Sequence, residues 1–229
     1  MTSFSCAEPI FRRKQAALDV QDLQGLLRIQ IQVSDRPLFS RFYTRIDQVF
    51  LLWGTIVSFM FLTAQFTTLS WTIQAVIWSL LTLVGSWATI HLTWYWVTVE
   101  QLRWVVYGWI GLMGVGVALT NWGVLFGGWG LLPYLCPLWL GLNAAGYLGT
   151  AWGLRSRAFL LSALLHGLAA VAVPHMVGWQ YLATGIVLAS PLFVLAEAQW
   201  DMRSTSNFSN LTTEQRHFNQ QQQLRRSKS

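Results

Sequence analysis

Residues 70–122 read SWTIQAVIWSLLTLVGSWATIHLTWYWVTVEQLRWVVYGWIGLMGVGVALTNW, two long apolar runs joined at Val99-Glu100-Gln101-Leu102-Arg103-Trp104. A helix rises 1.5 Å per residue, so about 20 apolar residues cross roughly 30 Å of hydrocarbon, and each run is of that order. Glu100 and Arg103 are the only charged residues of the whole stretch, and both stand in the link. The stretch therefore reads as a pair of transmembrane helices joined by a short charged turn.

Working outward, the only other charged residues between Gln48 and Ala196 are Arg155 and Arg157, again between two apolar runs. The runs predict an all-α bundle of six spans, near residues 49–66, 70–96, 104–122, 131–153, 158–173 and 178–197. Of the 15 Lys and Arg residues, 7 precede the first span, 1 follows the second, 2 follow the fourth and 5 follow the sixth. None falls on the other side. Cationic loops stay where the chain is inserted from, so both termini are expected on the cytoplasmic or stromal-type face. The domain reading is a cytoplasmic interfacial segment at 1–47, a transmembrane domain at 48–200 and a disordered, polar, basic tail at 201–229.

Residues of the AVILMFWYC class make up 54% of the chain and charged residues 10%, a balance suited to lipid rather than water. Many of the 14 Trp lie near span ends, among them Trp71, Trp96, Trp104, Trp122, Trp152, Trp179 and Trp200. An indole has an apolar body and one N–H donor, so it suits the headgroup boundary, and an aromatic belt accounts for most of them. The net charge of +6 is divided between tails that flank a bilayer; it points to anionic lipid and not to nucleic acid. Cys6 and Cys136 fall in different compartments, which argues against a disulfide, and neither has a second Cys or His at metal-ligand spacing. Arg12, Arg13 and Lys14 are not followed by an apolar run, so the first span is expected to serve as the targeting signal.

In the N-terminal segment, residues 14–26 suit a helix lying on the membrane, while Leu27, Ile29, Ile31 and Val33 alternate with polar residues as a strand does. A lone strand needs a partner: either it docks to another protein or it packs on the chain's own helix ends. In the fourth span, Gly141, Ala145, Gly149 and Gly153 form a small-residue stripe that predicts close helix packing. Polar residues within the hydrocarbon zone are the usual pointers to function, and here they are His91, Asn143 and His166, with Glu197 at the boundary. His91 and His166 fall at similar depths, which would suit haem or chlorophyll ligation. Hydrogen bonding of each to a neighbouring helix is the competing reading. Glu100, Arg103, Arg155, Arg157, Glu197 and Asp201 are expected to form a charge cluster that pins the cytoplasmic helix ends. No catalytic, nucleotide-binding or metal signature appears, so no cofactor, metal or enzymatic activity is predicted.

Three segments carry a resemblance: Leu135-Cys136-Pro137-Leu138-Trp139, residues 154–159 (LRSRAF) and residues 196–203 (AEAQWDMR). With the Gln- and Trp-rich style of the chain, they resemble an uncharacterised group of cyanobacterial multi-pass integral membrane proteins over most of residues 45–203. The resemblance implies a plasma or thylakoid membrane and carries over no activity and no site residue. The expected function is a non-enzymatic accessory or assembly factor for a membrane complex, photosynthetic or other, partnered by other membrane helices. The alternatives are a small permease or channel, with a pathway near Asn143, His166 and Pro191, and a haem- or pigment-binding protein using His91 and His166.

Overall fold

The computed structural model describes residues 9–33, 36–127, 129–203 and 210–226. Among them, six helices are long and apolar enough to cross a membrane. They are α2 (Arg45–Phe66), α3 (Trp71–Val99), α4 (Arg103–Leu125), α5 (Leu135–Leu154, preceded by a 3-10 turn at Trp129–Tyr134), α6 (Arg157–Ala172) and α7 (Gln180–Glu197). The protein is an all-α membrane bundle. Only 28% to 39% of each span is buried, and the outward faces carry Leu83, Trp87, Leu168 and Val171, each at least 65% exposed. So much apolar surface on every side calls for lipid as the solvent.

Local chemistry sets the helix ends. Thr44 accepts the Asp47 amide and Asp47 accepts the Thr44 amide, a reciprocal cap that lets α2 begin four residues before its apolar run. Gln101 (φ 58°) and Arg155 (φ 56°) take left-handed conformations just after α3 and α5, which allows each chain reversal to be short. Pro191 lies inside α7, which runs unbroken through it.

Helix α2 packs against α3 and most extensively against α7; α4 joins α3 to α5; and α6 packs on α5 and α7. The ring closes around a central space. Two helix pairs are locked by reciprocal notches in which a glycine receives an aromatic side chain. The Phe193 ring of α7 meets Gly54 of α2, and Phe61 of α2 meets Gly185 of α7. Likewise Trp139 of α5 meets Gly116 of α4, and Trp109 of α4 meets Gly146 of α5.

The predicted stripe does not make these contacts. Gly141 and Ala145 are exposed, and a methyl group added at Gly141 would meet nothing within 4 Å. Gly149 sits 3.8 Å from Trp104 by the same measure, and only Gly153 is tight, at 3.0–3.1 Å from Leu102, Trp104 and Val105. Spacing identifies a smooth face, but helix rotation decides whether that face turns inward.

Among the described residues, segments from both ends of the chain meet at the charged end of the bundle. Strand β1 (Phe11–Arg12) pairs antiparallel with β4 (Gln199–Trp200), tying the two terminal segments together. Strand β2 (Leu27–Val33) forms an antiparallel hairpin with β3 (Arg36–Tyr43), in register from Leu27↔Tyr43 with an irregularity between Ile31 and Gln32. The alternating segment thus finds a partner strand within the chain. Of the helix expected at 14–26, one turn forms, α1 (Val20–Leu23).

Within the tail expected to be disordered, the described residues include a helix. Helix α8 spans Thr213–Arg226, with Thr212 and Gln215 capping each other's amides, Glu214 in the first turn and Arg225 and Arg226 in the last. Its buried residues are polar, Asn219 and Gln222, so hydrogen bonding and not apolar area fixes it. Cys136 is a buried free thiol, and Cys6 lies outside the described residues.

Candidate functional site

Two cavities share part of their lining. The inner one, about 160 Å³, is walled by all six spans. Its polar positions are Thr82, Ser86, Thr89 and Thr93 along one face of α3, and Asn143, Tyr147 and Thr150 on α5. Several of these groups are already satisfied. The Thr89 hydroxyl donates to the Gly85 carbonyl and accepts the Trp53 indole N–H, both at 2.8 Å. Thr150 does the same with the Gly146 carbonyl and the Trp109 indole, at 2.9 Å each. Thr93 donates to Thr89 O at 2.7 Å, and Asn143 donates to Trp139 O at 2.8 Å. With the helices consuming their own polar groups, the cavity presents a mainly apolar wall.

The outer cavity, about 360 Å³, is a polar chamber at the charged end. Ile46, Trp96 and Trp200 line both cavities and form the partition between them. The chamber is assembled from distant segments: residues 12–22, the start of α2, the end of α3, residues 198–203 and the last turns of α8. Lys14 pairs with Asp47 at 2.7 Å, and Arg226 pairs with Asp19. Arg203 donates to the main-chain carbonyl of Glu100 at 2.7 Å.

Glu100 is the centre of this arrangement. It is 1% exposed, and its Oε1 accepts the Gln21 side-chain amide at 3.0 Å. Gln21 in turn accepts from Asn219 of α8 at 3.1 Å, so a side-chain relay runs from the tail helix to α3. The Glu100 Oε2 is buried and has no hydrogen-bond partner. Burial, with smaller contributions from Asp22 and Asp19, pushes its carboxyl up to about 7 against the pull of Gln21 and Arg203. Its place at the C-terminal end of α3, where the helix dipole is negative, acts in the same direction. Asp22 accepts the Trp96 indole N–H at 3.0 Å. Burial and then Asp19 raise its carboxyl to about 6.

The other expected cluster residues lie apart. Arg103 is exposed, over the Trp94 ring at 4.9 Å, and Arg155 lies over Trp152 at 5.9 Å. Glu197 accepts the Tyr43 hydroxyl at 2.6 Å and stands 4.0 Å from Arg41. Burial, then the Glu197 bond, raises the Tyr43 phenol to about 12, which keeps it a donor. Asp201 caps α6 from outside the helix. It accepts the amides of Arg157 (3.0 Å) and Ala158 (3.1 Å), the Ser156 hydroxyl (2.9 Å) and the Arg157 Nε (2.9 Å). Burial raises its carboxyl, but the donors on Arg157, Ala158 and Ser156 outweigh it and hold the group below its ordinary value.

His91 is exposed on α3 and stacks on Trp87, with ring centroids 5.6 Å apart. His166 is fully buried on α6 beside Tyr147, its Nδ1 donating to the Ser162 carbonyl at 2.7 Å and its Nε2 left without a partner. One faces outward and the other inward, so they do not share a site. Among the described residues, no three His, Cys, Asp or Glu side chains group as a metal site. Asn143 lines the inner cavity, whereas His166 and Pro191 are not among its walls.

Sequence reading missed Asp19, Gln21, Asp22 and Asn219. The hydroxyl stripe of α3 was legible as residues 82, 86, 89 and 93, spaced i, i+4, i+7 and i+11. Comparison with protein-family models, with curated proteins and with solved structures finds no match.

Proposed function

We propose that the protein is a small permease or carrier of the bilayer, loaded from the charged end. One observation carries this reading: a polar chamber of about 360 Å³ at the charged end and an apolar cavity of about 160 Å³ inside the spans share Ile46, Trp96 and Trp200 as walls. A space of that kind suits a molecule with a polar head and an apolar body. The one-sided distribution of Lys and Arg supports a cytoplasmic or stromal-type orientation of the chamber. A plasma or thylakoid membrane is the location proposed with it.

The accessory or assembly reading keeps one support. Gly141 and Ala145 of α5, with Gly108, Gly111 and Gly114 of α4, face outward and make a smooth surface that a partner helix could approach closely. Native mass spectrometry of protein extracted gently from its own membrane separates the two. A small molecule retained by the wild type and lost in Ser86→Phe, which fills the inner cavity, supports the carrier. A near-stoichiometric protein partner with no small molecule supports the accessory role.

A further inference from the structure

We propose that the chamber is a recognition site for a protonated amine with a small apolar body, and that Glu100 and Asp22 are its counter-charges. The inference rests on the carrier reading and names the substrate class.

The charges of the chamber are unevenly engaged. The chamber is lined by Arg12, Lys14, Arg203 and Arg226 on one side of the balance and by Asp19, Asp22, Asp47 and Glu100 on the other. Lys14 is held by Asp47, Arg226 by Asp19 and Arg203 by a main-chain carbonyl, and Arg12 also has a contact within the protein. The hydrogen bonds seen at Asp22 and Glu100 among the described residues come from neutral donors, the Trp96 indole and the Gln21 amide, with Arg226 and Arg203 acting on them through space. An ionised carboxylate is acceptor-only, so the buried, partnerless Oε2 of Glu100 calls for a donor, best a charged one. An ammonium supplies both the proton donors and the charge.

The inner cavity sets the size of the body. Roughly 150 Å³ of apolar space takes one benzene-sized ring. Phenylethylamine therefore has the right dimensions, and its ammonium stays charged across the range in which Glu100 titrates. Protons and the amine compete for the same carboxyls. From every element around Glu100 the facing groups are Gln21, Asp22 and Asp19 of the α1 segment, Arg203 after β4 and Arg226 of α8. With Glu100 titrating near 7, amine binding weakens as pH falls below that value, approaching tenfold per unit.

The test is calorimetry on the intact protein in mild detergent with three probes of one shape: 2-phenylethylamine, 2-phenylethanol and 3-phenylpropanoate. The expected result is one amine per chain, the alcohol weaker by roughly thirtyfold or more, and the acid weaker still. Glu100→Gln is expected to lose that advantage and flatten the pH profile. The three-probe comparison on unmodified protein stands even if the variant does not fold. Equal or tighter binding of the alcohol or the acid overturns the charge assignment and leaves the carrier reading intact. No binding of any probe also overturns it, and the small-molecule result from Ser86→Phe then decides the carrier reading separately.

Discussion

Replacing Gly185 by alanine tests how the bundle is held together. A methyl group at that position would sit 2.7 Å from Cβ of Phe61, about 1 Å inside ordinary contact. Phe61 Cβ is fixed to the α2 backbone and cannot rotate away, so α2 and α7 must separate along the most extensive helix contact in the molecule. Overpacking of this kind costs about 3 kcal/mol, toward the top of the usual range. At Gly54 the obstacle is the tip of the Phe193 ring, 2.9 Å away, which can swing, and Gly54→Ala is expected to cost about 1 kcal/mol. At Gly141 there is nothing within 4 Å, and alanine is expected to be neutral or slightly stabilising through helix propensity. Thermal unfolding in detergent can be followed by a thiol-reactive dye at Cys136, which is 2% exposed, in a Cys6→Ser background. The melting temperature should drop by roughly 6–12 °C for Gly185→Ala, by a few degrees for Gly54→Ala and not at all for Gly141→Ala. If Gly141→Ala is as damaging as Gly185→Ala, the stripe and not the aromatic notches carries the packing.

Three further outcomes follow from the charged end. Asp201→Ala removes the acceptor for two amides, a hydroxyl and a guanidinium at the start of α6; a loss of about 3 kcal/mol is expected, read as a lower melting temperature. Because the folded carboxyl of Asp201 titrates below its ordinary value, its contribution is present above about pH 4 and is lost as pH falls through the lowered value. Glu100 has the opposite sign. Raised from 4.5 to about 7, it favours the folded state fully below about pH 4.5 and loses that contribution, about 3 kcal/mol at most, as pH rises through 7. A melting temperature for Glu100→Gln that still falls between pH 5 and 8 as steeply as the wild type would refute this. Ending the chain after residue 212 removes α8 and its relay to Glu100, and should expose the Gln21–Glu100 region to rapid hydrogen exchange while the spans stay protected.

The site was harder to read than the spans, and particular residues show why. Each predicted span begins and ends within a few residues of its helix, because the composition of the run itself reports that it belongs in hydrocarbon. The start of α2 moved to Arg45 because Thr44 and Asp47 cap it, a two-residue signal that hydropathy ignores. The tail helix was hidden because its packing is polar: Asn219 meets Gln21 from 198 residues away. Glu100 was legible as a turn residue, and Asp201 as a charge near the membrane boundary. That one would be a buried carboxyl group and the other a helix cap depends on the distant segments that close over them.

The sequence by itself determined six spans and a single charged side, because the exclusion of charge from hydrocarbon acts residue by residue and needs no knowledge of neighbours. Only the tertiary structure decided which faces turn inward. Successive residues point 100° apart around a helix, glycine is compatible with either face, and Trp109, Trp139, Phe61 and Phe193 fix the rotation by seating in particular notches. The chamber belongs to the same class of facts. Residues separated by 79 positions, as Gln21 and Glu100 are, acquire a shared electrostatic environment only after the chain has folded around them.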